Sequence, residues 1–228
     1  MKKLLPVAFL TVFYISGCLT PKKMNKWTSE HYSEINNTNT KTKAKPDYLS
    51  ITSSLVLPDQ PVSTTEKTSK NLLPLLFYWK CDYYLTCVLN PKVPVSLCSA
   101  AIKTYAGSKG LRQKLNNASI QLSIDSVPNT FALFERDHLV WVILYAFSWY
   151  EQAFTPQHKD LVVAYKVTDN GSALIKNGTI TIPDENKNLN VKYLHSVRKT
   201  ENDFLDQYDE NIKVMSRKAV DELMHELQ

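Results

Sequence analysis

Between Ser119 and Ile182 the chain repeats one pattern, in which segments with apolar residues at alternate positions are separated by short polar links. Alternation at every second residue is the periodicity of a β-strand with one buried face. The links SVPN, RDH, TPQHK and NGS have turn or loop compositions and are too short for a crossover connection. The chain is therefore predicted to fold mainly into an antiparallel sheet, with Asn170-Gly171 as a tight hairpin turn.

Two longer apolar stretches predict further strands of this sheet. The stretch from Leu139 to Phe154 is apolar on both faces over much of its length, so we expect it to lie centrally under a helical layer. Residues 73–90 are also rich in aromatic and branched residues, and Pro91 and Pro94 should end that strand. We expect one continuous strand from each stretch.

Helical segments are predicted after residues 73–90 and at the C-terminus. Ser96 is a candidate N-cap and Gly107 a candidate C-cap, and the segment GLRQKL forms another short turn of helix. Near the C-terminus, apolar residues recur at three- and four-residue steps and form one stripe of a long helix. The stripe consists of Phe204, Tyr208, Ile212, Met215, Ala219, Leu223 and Leu227. It either packs on the sheet or leaves part of its length exposed for a partner.

The predicted fold class is α+β, a mainly antiparallel sheet covered on one face by a short helical segment and a long C-terminal amphipathic helix. Hydrophobic residues make up 43% of the chain, which is enough apolar material for a core. Residues 18–46 are instead dense in Lys, Asn, Thr and Ser. We expect a flexible tether there and a single α+β domain over residues 47–228. Trp27, His31 and Tyr32 offer an alternative, a short amphipathic turn that docks on a membrane or on the domain.

The N-terminal residues predict a targeting signal. Two lysines precede an uncharged segment from Leu4 to Ile15, which is shorter than the roughly 20 apolar residues that a membrane-spanning helix needs. The next residues resemble a bacterial lipobox, made of Ile15, Ser16, Gly17 and Cys18. The resemblance implies that the lipoprotein signal peptidase recognises this motif, that residues 1–17 are a signal peptide, and that Cys18 carries acyl chains such as palmitate.

Acylation of Cys18 would anchor the protein stably, because two or three acyl chains hold where a single chain is marginal. The alternative is an ordinary cysteine in a buried N-terminal helix. Leu19 is not the aspartate that retains many lipoproteins in the inner membrane, and the segment LTPKKMNK lacks an acidic surface-export signal. The resemblance therefore implies the cell envelope, in the outer membrane and facing the periplasm.

The other cysteines, Cys81, Cys87 and Cys98, cannot all pair within one chain. Cys81 and Cys87 would lie roughly 20 Å apart in a straight strand, which is beyond the reach of a disulfide. A bridge from Cys98 to either of them is geometrically possible in an oxidising periplasm. The alternative is that they are small buried residues.

The sequence carries no recognisable catalytic or metal-binding motif, and we expect no enzyme, cofactor or metal site. The histidines lie apart, without a ligand spacing, at positions 31, 138, 158, 195 and 225. The acidic residues near predicted strand ends are Asp125, Glu135, Asp137 and Glu151. Two of them could converge as a catalytic pair, although such carboxylates usually serve turns and solubility. The segment GSKG superficially resembles the nucleic-acid clamp of KH modules, but a glycine at a helix end explains it, and export argues against nucleic acid.

Aromatic residues crowd the segments FYWKCDYY and WVILYAFSWY, and in an alternating strand they cannot all point to one face. Some should be exposed or line a groove between sheet and helices, where they would suit a lipid, glycan or protein ligand. The candidate binding residues are Tyr78, Tyr83, Trp141 and Trp149. The alternative is a core on one face, with the tyrosine hydroxyls reaching solvent.

A lipidated cysteine, a polar tether, an antiparallel sheet and a closing helix resemble small envelope lipoproteins, including auxiliary lipoproteins of lipid-transporting ABC systems. The resemblance extends over about the last third of the chain, through the strand pair LVVAYKVTDNGSALIKNGTITI and the helix after it. It implies a membrane-anchored, non-enzymatic binding or accessory module with a protein partner in the envelope. The alternative is a carrier or binding protein for an amphipathic ligand, held in a groove between aromatic-rich strands and helices.

Overall fold

The computed structural model describes residues 19–38, 48–57, 59, 61–75, 77–116, 118–142, 145–169, 173–192 and 195–227. The lipobox with Cys18 and the hairpin residues Asn170-Gly171 lie outside these residues, so both remain predictions. The described helices are α1 (Pro21–Thr38), α2 (Lys92–Ser108), α3 (Leu111–Leu115) and α4 (Val197–Glu226). The described strands are β1 (Leu49–Ser53), β2 (Ser63–Leu75), β3 (Tyr78–Leu89), β4 (Ser119–Ser126), β5 (Thr130–Val142), β6 (Tyr145–Pro156), β7 (Leu161–Thr168), β8 (Leu174–Ile182) and β9 (Leu189–Asn190).

The strands form two sheets, and the α+β class with a long C-terminal helix is confirmed. Sheet A has the strand order β1-β4-β7-β8, and sheet B has the order β2-β3-β5-β6-β9. Every neighbouring pair is antiparallel except β1 and β4, which are parallel. Helices α2 and α3 carry the chain from β3 in sheet B to β4 in sheet A, and the other changes of sheet are made without a described helix.

In sheet A, β7 and β8 form the antiparallel pair that the sequence predicts. The buried residues of β7 alternate along the strand, as expected for a strand with one face on the core. Tyr165 is one of these buried residues, and it is paired with Gly178 on β8. A Cβ atom on Gly178 would lie 2.7 Å from the tyrosine ring. Glycine at this position therefore leaves the space that the ring occupies.

In sheet B, the stretch from Leu139 to Phe154 is a hairpin rather than a single strand, because β5 pairs with β6 as far as Val142 and Tyr145. The prediction of one continuous strand is therefore wrong for this stretch. Most of residues 73–90 form the single strand β3, as predicted, but residues 73–75 belong to β2, which pairs with β3 as far as Leu75 and Tyr78. Residues 139–147, around the reversal between β5 and β6, contain no Gly, Pro, Asn or Asp, the residues that normally mark a turn, whereas Pro74 lies close to the reversal between β2 and β3.

Two further differences follow from these hairpins. The predicted RDH turn lies inside β5, where Arg136 is in register with Asp82 and His138 with Lys80. β2 was not predicted, because its first half, STTEKTSK, has no apolar residue to mark a buried face. Polar residues form a strand there because β2 gains a backbone partner along β3.

Helix α2 begins earlier than the predicted N-cap. Its N-cap is Pro91, and the Asn90 side chain accepts a 3.0 Å hydrogen bond from the Lys92 amide. Ser96 lies inside the helix instead and donates to the Val93 carbonyl. Proline is tolerated in the first turn of a helix, where its missing N–H needs no partner. Pro91 and Pro94 therefore do not prevent α2 from beginning directly after β3. The predicted C-cap, Gly107, is likewise inside α2, and Lys109 is the C-cap.

The C-terminal helix α4 packs on both sheets, and its predicted stripe is buried as far as Leu223. The ring of Phe204 lies 5.3 Å from that of Phe131 and 5.7 Å from that of Phe154, measured between centroids. These aromatic contacts join α4 to β5 and β6. The stripe is therefore part of the core and not an exposed docking face.

Residues 21–38 form α1, so the prediction of a flexible tether is wrong for this range. Met24, Thr28 and Tyr32 recur at four-residue steps and are buried. The Tyr32 hydroxyl donates a 3.1 Å hydrogen bond to Asp209 on α4. The overall composition of residues 18–46 did not indicate the buried face of α1. Three residues at helical spacing are enough to dock a helix that is otherwise polar.

The docking of α1 confirms the alternative in which its aromatic residues contact the domain. Trp27 is partly buried against the core. The His31 Nε2 atom lies 3.7 Å from the Asp209 carboxylate. The N-terminal segment is therefore attached to α4 and to the adjoining part of sheet B.

Candidate interaction site

The ends of β3, β5 and β6 form an uncharged surface, which we call the tip and define as residues 77–79, 139–142 and 145–150. None of these residues is Asp, Glu, Lys, Arg or His. The two chain reversals lie side by side, because β3 pairs with β5 and the Trp141 amide donates a 2.8 Å hydrogen bond to the Phe77 carbonyl. The ends of β3, β5 and β6 therefore meet in one apolar region, next to the end of β2.

Large side chains at the tip are exposed on both faces of the sheet. The most exposed are Tyr145 (70%), Tyr150 (65%), Phe77 (61%) and Phe147 (57%). Successive residues of a strand point to opposite faces, so Tyr145 and Phe147 share one face of β6, and Tyr150 lies on the other. A sheet normally buries at least one face against another element. Within the described part of the chain, no element covers these side chains.

A row of residues across three strands marks the limit of the tip. Lys80 on β3, His138 on β5 and Trp149 on β6 are neighbours in register. The His138 ring stacks on the Trp149 ring, with centroids 4.7 Å apart and planes 10° from parallel. The Tyr78 hydroxyl lies 2.7 Å from His138 Nδ1. These contacts hold three rings in place where charged residues begin.

An ion pair lies beside this row, on the side nearer the core. Asp82, which is almost fully buried, accepts hydrogen bonds of 2.8 and 3.1 Å from the Arg136 guanidinium. These hydrogen bonds lower the pKa of Asp82 despite its burial. The same guanidinium lies over the Phe134 ring, 4.9 Å from its centroid. Because a paired guanidinium and carboxylate require one geometry, this contact supports the register of β3 and β5 next to the tip.

Three of the four candidate binding aromatics belong to the tip, namely Tyr78, Trp141 and Trp149. Tyr83 does not, because it lies closer to the core, with the Lys67 ammonium 4.8 Å from its ring centroid. The selection from sequence omitted Tyr145, Phe147 and Tyr150, which are more exposed than any of the three tip tryptophans, Trp79, Trp141 and Trp149. The absence of charge over residues 139–150 is the signal that could have identified them.

A cavity of about 440 Å³ lies on sheet A rather than beneath the tip. Most of its lining residues have polar side chains, among them Gln121, Lys166 and Asn177. None of the four candidate aromatics lines this cavity. The groove predicted between aromatic strands and helices therefore does not coincide with the cavity that the described residues form.

The candidate acidic residues are divided between the two sheets. Asp125 lies on β4 of sheet A and accepts hydrogen bonds from Ser54 and Ser123. Glu135, on β5 of sheet B, accepts a 2.6 Å hydrogen bond from Gln152, and burial raises its pKa above the usual value. Asp125 therefore stands apart from the other acids. Among the described residues, no group of three or more His, Cys, Asp or Glu side chains could hold a metal ion.

The cysteines of the described residues are free thiols. Cys87 and Cys98 are fully buried, whereas Cys81 is partly exposed. Burial raises the pKa of both buried thiols to about 11. The possible bridge from Cys98 to Cys81 or Cys87 is therefore not formed, and the alternative of buried thiols holds for Cys87 and Cys98.

The described helices include none that is long and apolar enough to cross a membrane. Comparisons with models of protein families, with curated proteins and with solved structures gave no significant match.

Proposed function

We propose that the protein is a membrane-anchored lipoprotein of the bacterial cell envelope that acts as a non-enzymatic binding or accessory module. Cys18 carries the acyl chains, and the outer membrane facing the periplasm is the proposed location. The tip is the contact surface of the module. It binds an envelope component by apolar and aromatic contact rather than by charge.

The exposure of the tip is the observation that carries this proposal. Soluble proteins scatter single apolar residues over their surface, whereas a contiguous exposed patch usually marks an interaction site. Here, the ends of β3, β5 and β6 contribute such residues side by side, without an intervening charge. Trp and Tyr are also enriched in interaction surfaces, because they combine a large apolar area with a polar group.

The carrier alternative has less support. A carrier should enclose an amphipathic ligand in a largely apolar pocket. The cavity formed by the described residues lies on sheet A and is lined by none of the tip aromatics, which project from both faces of sheet B. A surface that points outward on two sides favours contact with a partner over enclosure of a ligand.

Metabolic labelling tests the anchor. We expect an alkyne-bearing fatty acid to label the protein in bacteria, and Cys18→Ala to abolish the label. Cys81→Ser is the matched control, because it removes a different thiol and should leave the label unchanged. Unlabelled wild-type protein, or label that persists in Cys18→Ala, would contradict the lipoprotein assignment.

Photo-crosslinking in intact cells tests the contact surface. A photoreactive phenylalanine at Tyr150, which is 65% exposed at the tip, should give a specific adduct with an envelope component. The same probe at Ile175, which is 59% exposed on sheet A, is the control and should give none. Equal adducts at both positions, or none at Tyr150, would count against the tip as the contact surface.

A further inference from the structure

We propose that the tip inserts into a lipid bilayer, at the boundary between headgroups and acyl chains. The protein would then be held at the membrane by sheet B as well as by the acylated Cys18. This inference rests on the proposed function, because it names the occupant of the contact surface proposed there. It goes further by assigning membrane contact to folded residues far from the anchor in sequence.

The exposure of both sheet faces favours a lipid environment over a protein partner. A partner that packs on a sheet covers one of its faces. At the tip, Phe147 is exposed on one face of β6 and Tyr150 on the other. A second copy that paired along a strand edge would not cover these side chains either, because edge pairing leaves both sheet faces exposed to water. A bilayer, by contrast, surrounds an inserted element on all sides.

The distribution of charge and aromatic residues along the strands fits such a boundary. From Trp149 to Tyr145 the uncharged part of β6 extends about 13 Å at 3.3 Å per residue, which is enough to reach through the headgroups. Helices that lie on membranes bury their apolar face by a similar 5 to 10 Å or so. Trp and Tyr concentrate at this level in membrane proteins. Lys80 and His138 follow directly, at the aqueous end of the tip.

The strand edges limit how deep the tip can go. β2 is an edge strand of sheet B, and β6 pairs with β9 only at Ala153 and Phe154. The outer backbone groups of both strands therefore have no ladder partner at the tip among the described residues. An open sheet edge is not tolerated in the hydrocarbon region. Insertion therefore ends where water still reaches the backbone.

Two contacts locate α4 on sheet B. The Tyr208 hydroxyl donates a 2.6 Å hydrogen bond to the carbonyl of Pro128, which precedes β5 at the end opposite the tip. One turn earlier on α4, Phe204 packs against Phe131, the second residue of β5. This part of α4 therefore lies at the end of sheet B opposite the tip.

Helix α1 runs alongside α4 in the same direction. Thr28 bonds to Glu201, and Tyr32 bonds to Asp209, so the N-terminal ends of the two helices lie together. Asn25, three residues before Thr28 on α1, accepts hydrogen bonds from Ser63 and Thr65 at the start of β2, which is the end of that strand opposite the tip. Both helices therefore lie away from the tip and leave it free to meet the bilayer.

Fluorescence quenching by brominated lipids tests the insertion. The tryptophans of the chain are Trp27, Trp79, Trp141 and Trp149. In a Trp27→Phe chain the fluorescence comes from the tip alone. We expect most of it to be lost when the acylated protein is reconstituted in phosphatidylethanolamine–phosphatidylglycerol vesicles with brominated acyl chains, compared with unbrominated vesicles of the same composition.

Two double variants in the Trp27→Phe chain show whether the tip itself inserts. Tyr145→Glu with Phe147→Glu places charge at the tip and should restore the fluorescence, because carboxylates resist transfer into lipid. Leu174→Glu with Ile175→Glu changes similarly exposed residues of sheet A and should leave the quenching intact. Circular dichroism checks that both variants are folded. Absence of quenching, or equal quenching in both variants, would overturn bilayer insertion.

The photo-crosslinking experiment separates this inference from the proposed function. A specific protein adduct at Tyr150 without lipid quenching would mean that the tip contacts a protein, so the bilayer inference falls and the binding module stands. A crosslinked adduct with twice the mass of the protein would show that the tip contacts a second copy of the chain. This result would also overturn insertion. If neither quenching nor an adduct is seen, both proposals fall.

Discussion

The hydroxyl of Thr28 on α1 donates a 2.9 Å hydrogen bond to the carboxyl group of Glu201 on α4, and both residues are fully buried. The other carboxyl oxygen of Glu201 has no hydrogen-bond partner among the described groups. Burial raises the pKa of Glu201 to about 8, so this group is mostly protonated at neutral pH. The contact between α1 and α4 therefore avoids a charge in the core, and it is linked to a proton.

This linkage predicts that the free energy of unfolding falls as pH rises from 4.5 to about 8. Below pH 4.5 the carboxyl is protonated in both states. Above that value it ionises in the unfolded chain while the folded protein keeps the proton, so stability decreases by at most about 1.4 kcal/mol per pH unit. The decrease ends once the folded carboxyl ionises as well. Urea unfolding at a series of pH values measures this dependence.

Glu201→Gln should remove this component of the pH dependence, because the amide keeps the shape of the side chain and does not titrate. Asp203→Asn is the control, since Asp203 is exposed on the same helix and its loss should leave the slope unchanged. A slope that is identical in wild type and Glu201→Gln would show that another group carries the dependence.

The docking of α1 predicts that shortening the side chain of Met24, which is 0% exposed, has a large effect on the free energy of unfolding. Met24→Ala should lower the free energy of unfolding by about 2–5 kcal/mol, because it removes apolar contacts and leaves a cavity. Lys22→Ala, on the exposed side of α1, should change it by no more than about 0.5 kcal/mol. Guanidinium unfolding measures both values. Equal stability of the two variants would mean that α1 is not attached to the core.

Much of the fold follows from periodicity in the sequence. The stripe from Phe204 to Leu223 predicted α4, and the alternation in β7 and β8 predicted their pairing, because each pattern reports one buried face. The hairpins at the tip could not be found this way. The chain reverses there inside apolar sequence, and the strand pairs that fix the reversal are contacts between residues distant in sequence.

The site was only partly predictable for the same reason. Trp141 and Trp149 could be selected as aromatic residues of an apolar strand, but a strand buried on both faces and one exposed on both have similar sequences. What distinguishes them is whether another element covers the sheet. That depends on tertiary packing, and the placement of α1 and α4 near the core end of sheet B leaves the tip uncovered.

The close approach of Tyr165 to Gly178 predicts that Gly178→Ala destabilises the protein. The added Cβ would lie 2.7 Å from a buried ring whose hydroxyl also bonds to Glu226, so the ring has little room to move. We expect a loss of about 1–3 kcal/mol in the free energy of unfolding. Gly107→Ala is the control, because a Cβ there meets nothing within 4 Å inside α2. It should instead stabilise by roughly 0.5 kcal/mol, and a loss at Gly107 as large as at Gly178 would show that the ring contact is not the cause.

Burial also predicts how the thiols react in the folded protein. The thiolate is the reactive form, and burial raises the pKa of Cys87 and Cys98 to about 11. Cys98 in addition accepts a 3.2 Å hydrogen bond from Ser216 on α4. We expect iodoacetamide at pH 8 to modify Cys81 first, and to modify the two buried thiols only after unfolding in urea. Mass spectrometry of digested samples measures each site. Early modification of Cys98 in the absence of urea would indicate that α2 separates from α4, which the buried contact between these helices argues against.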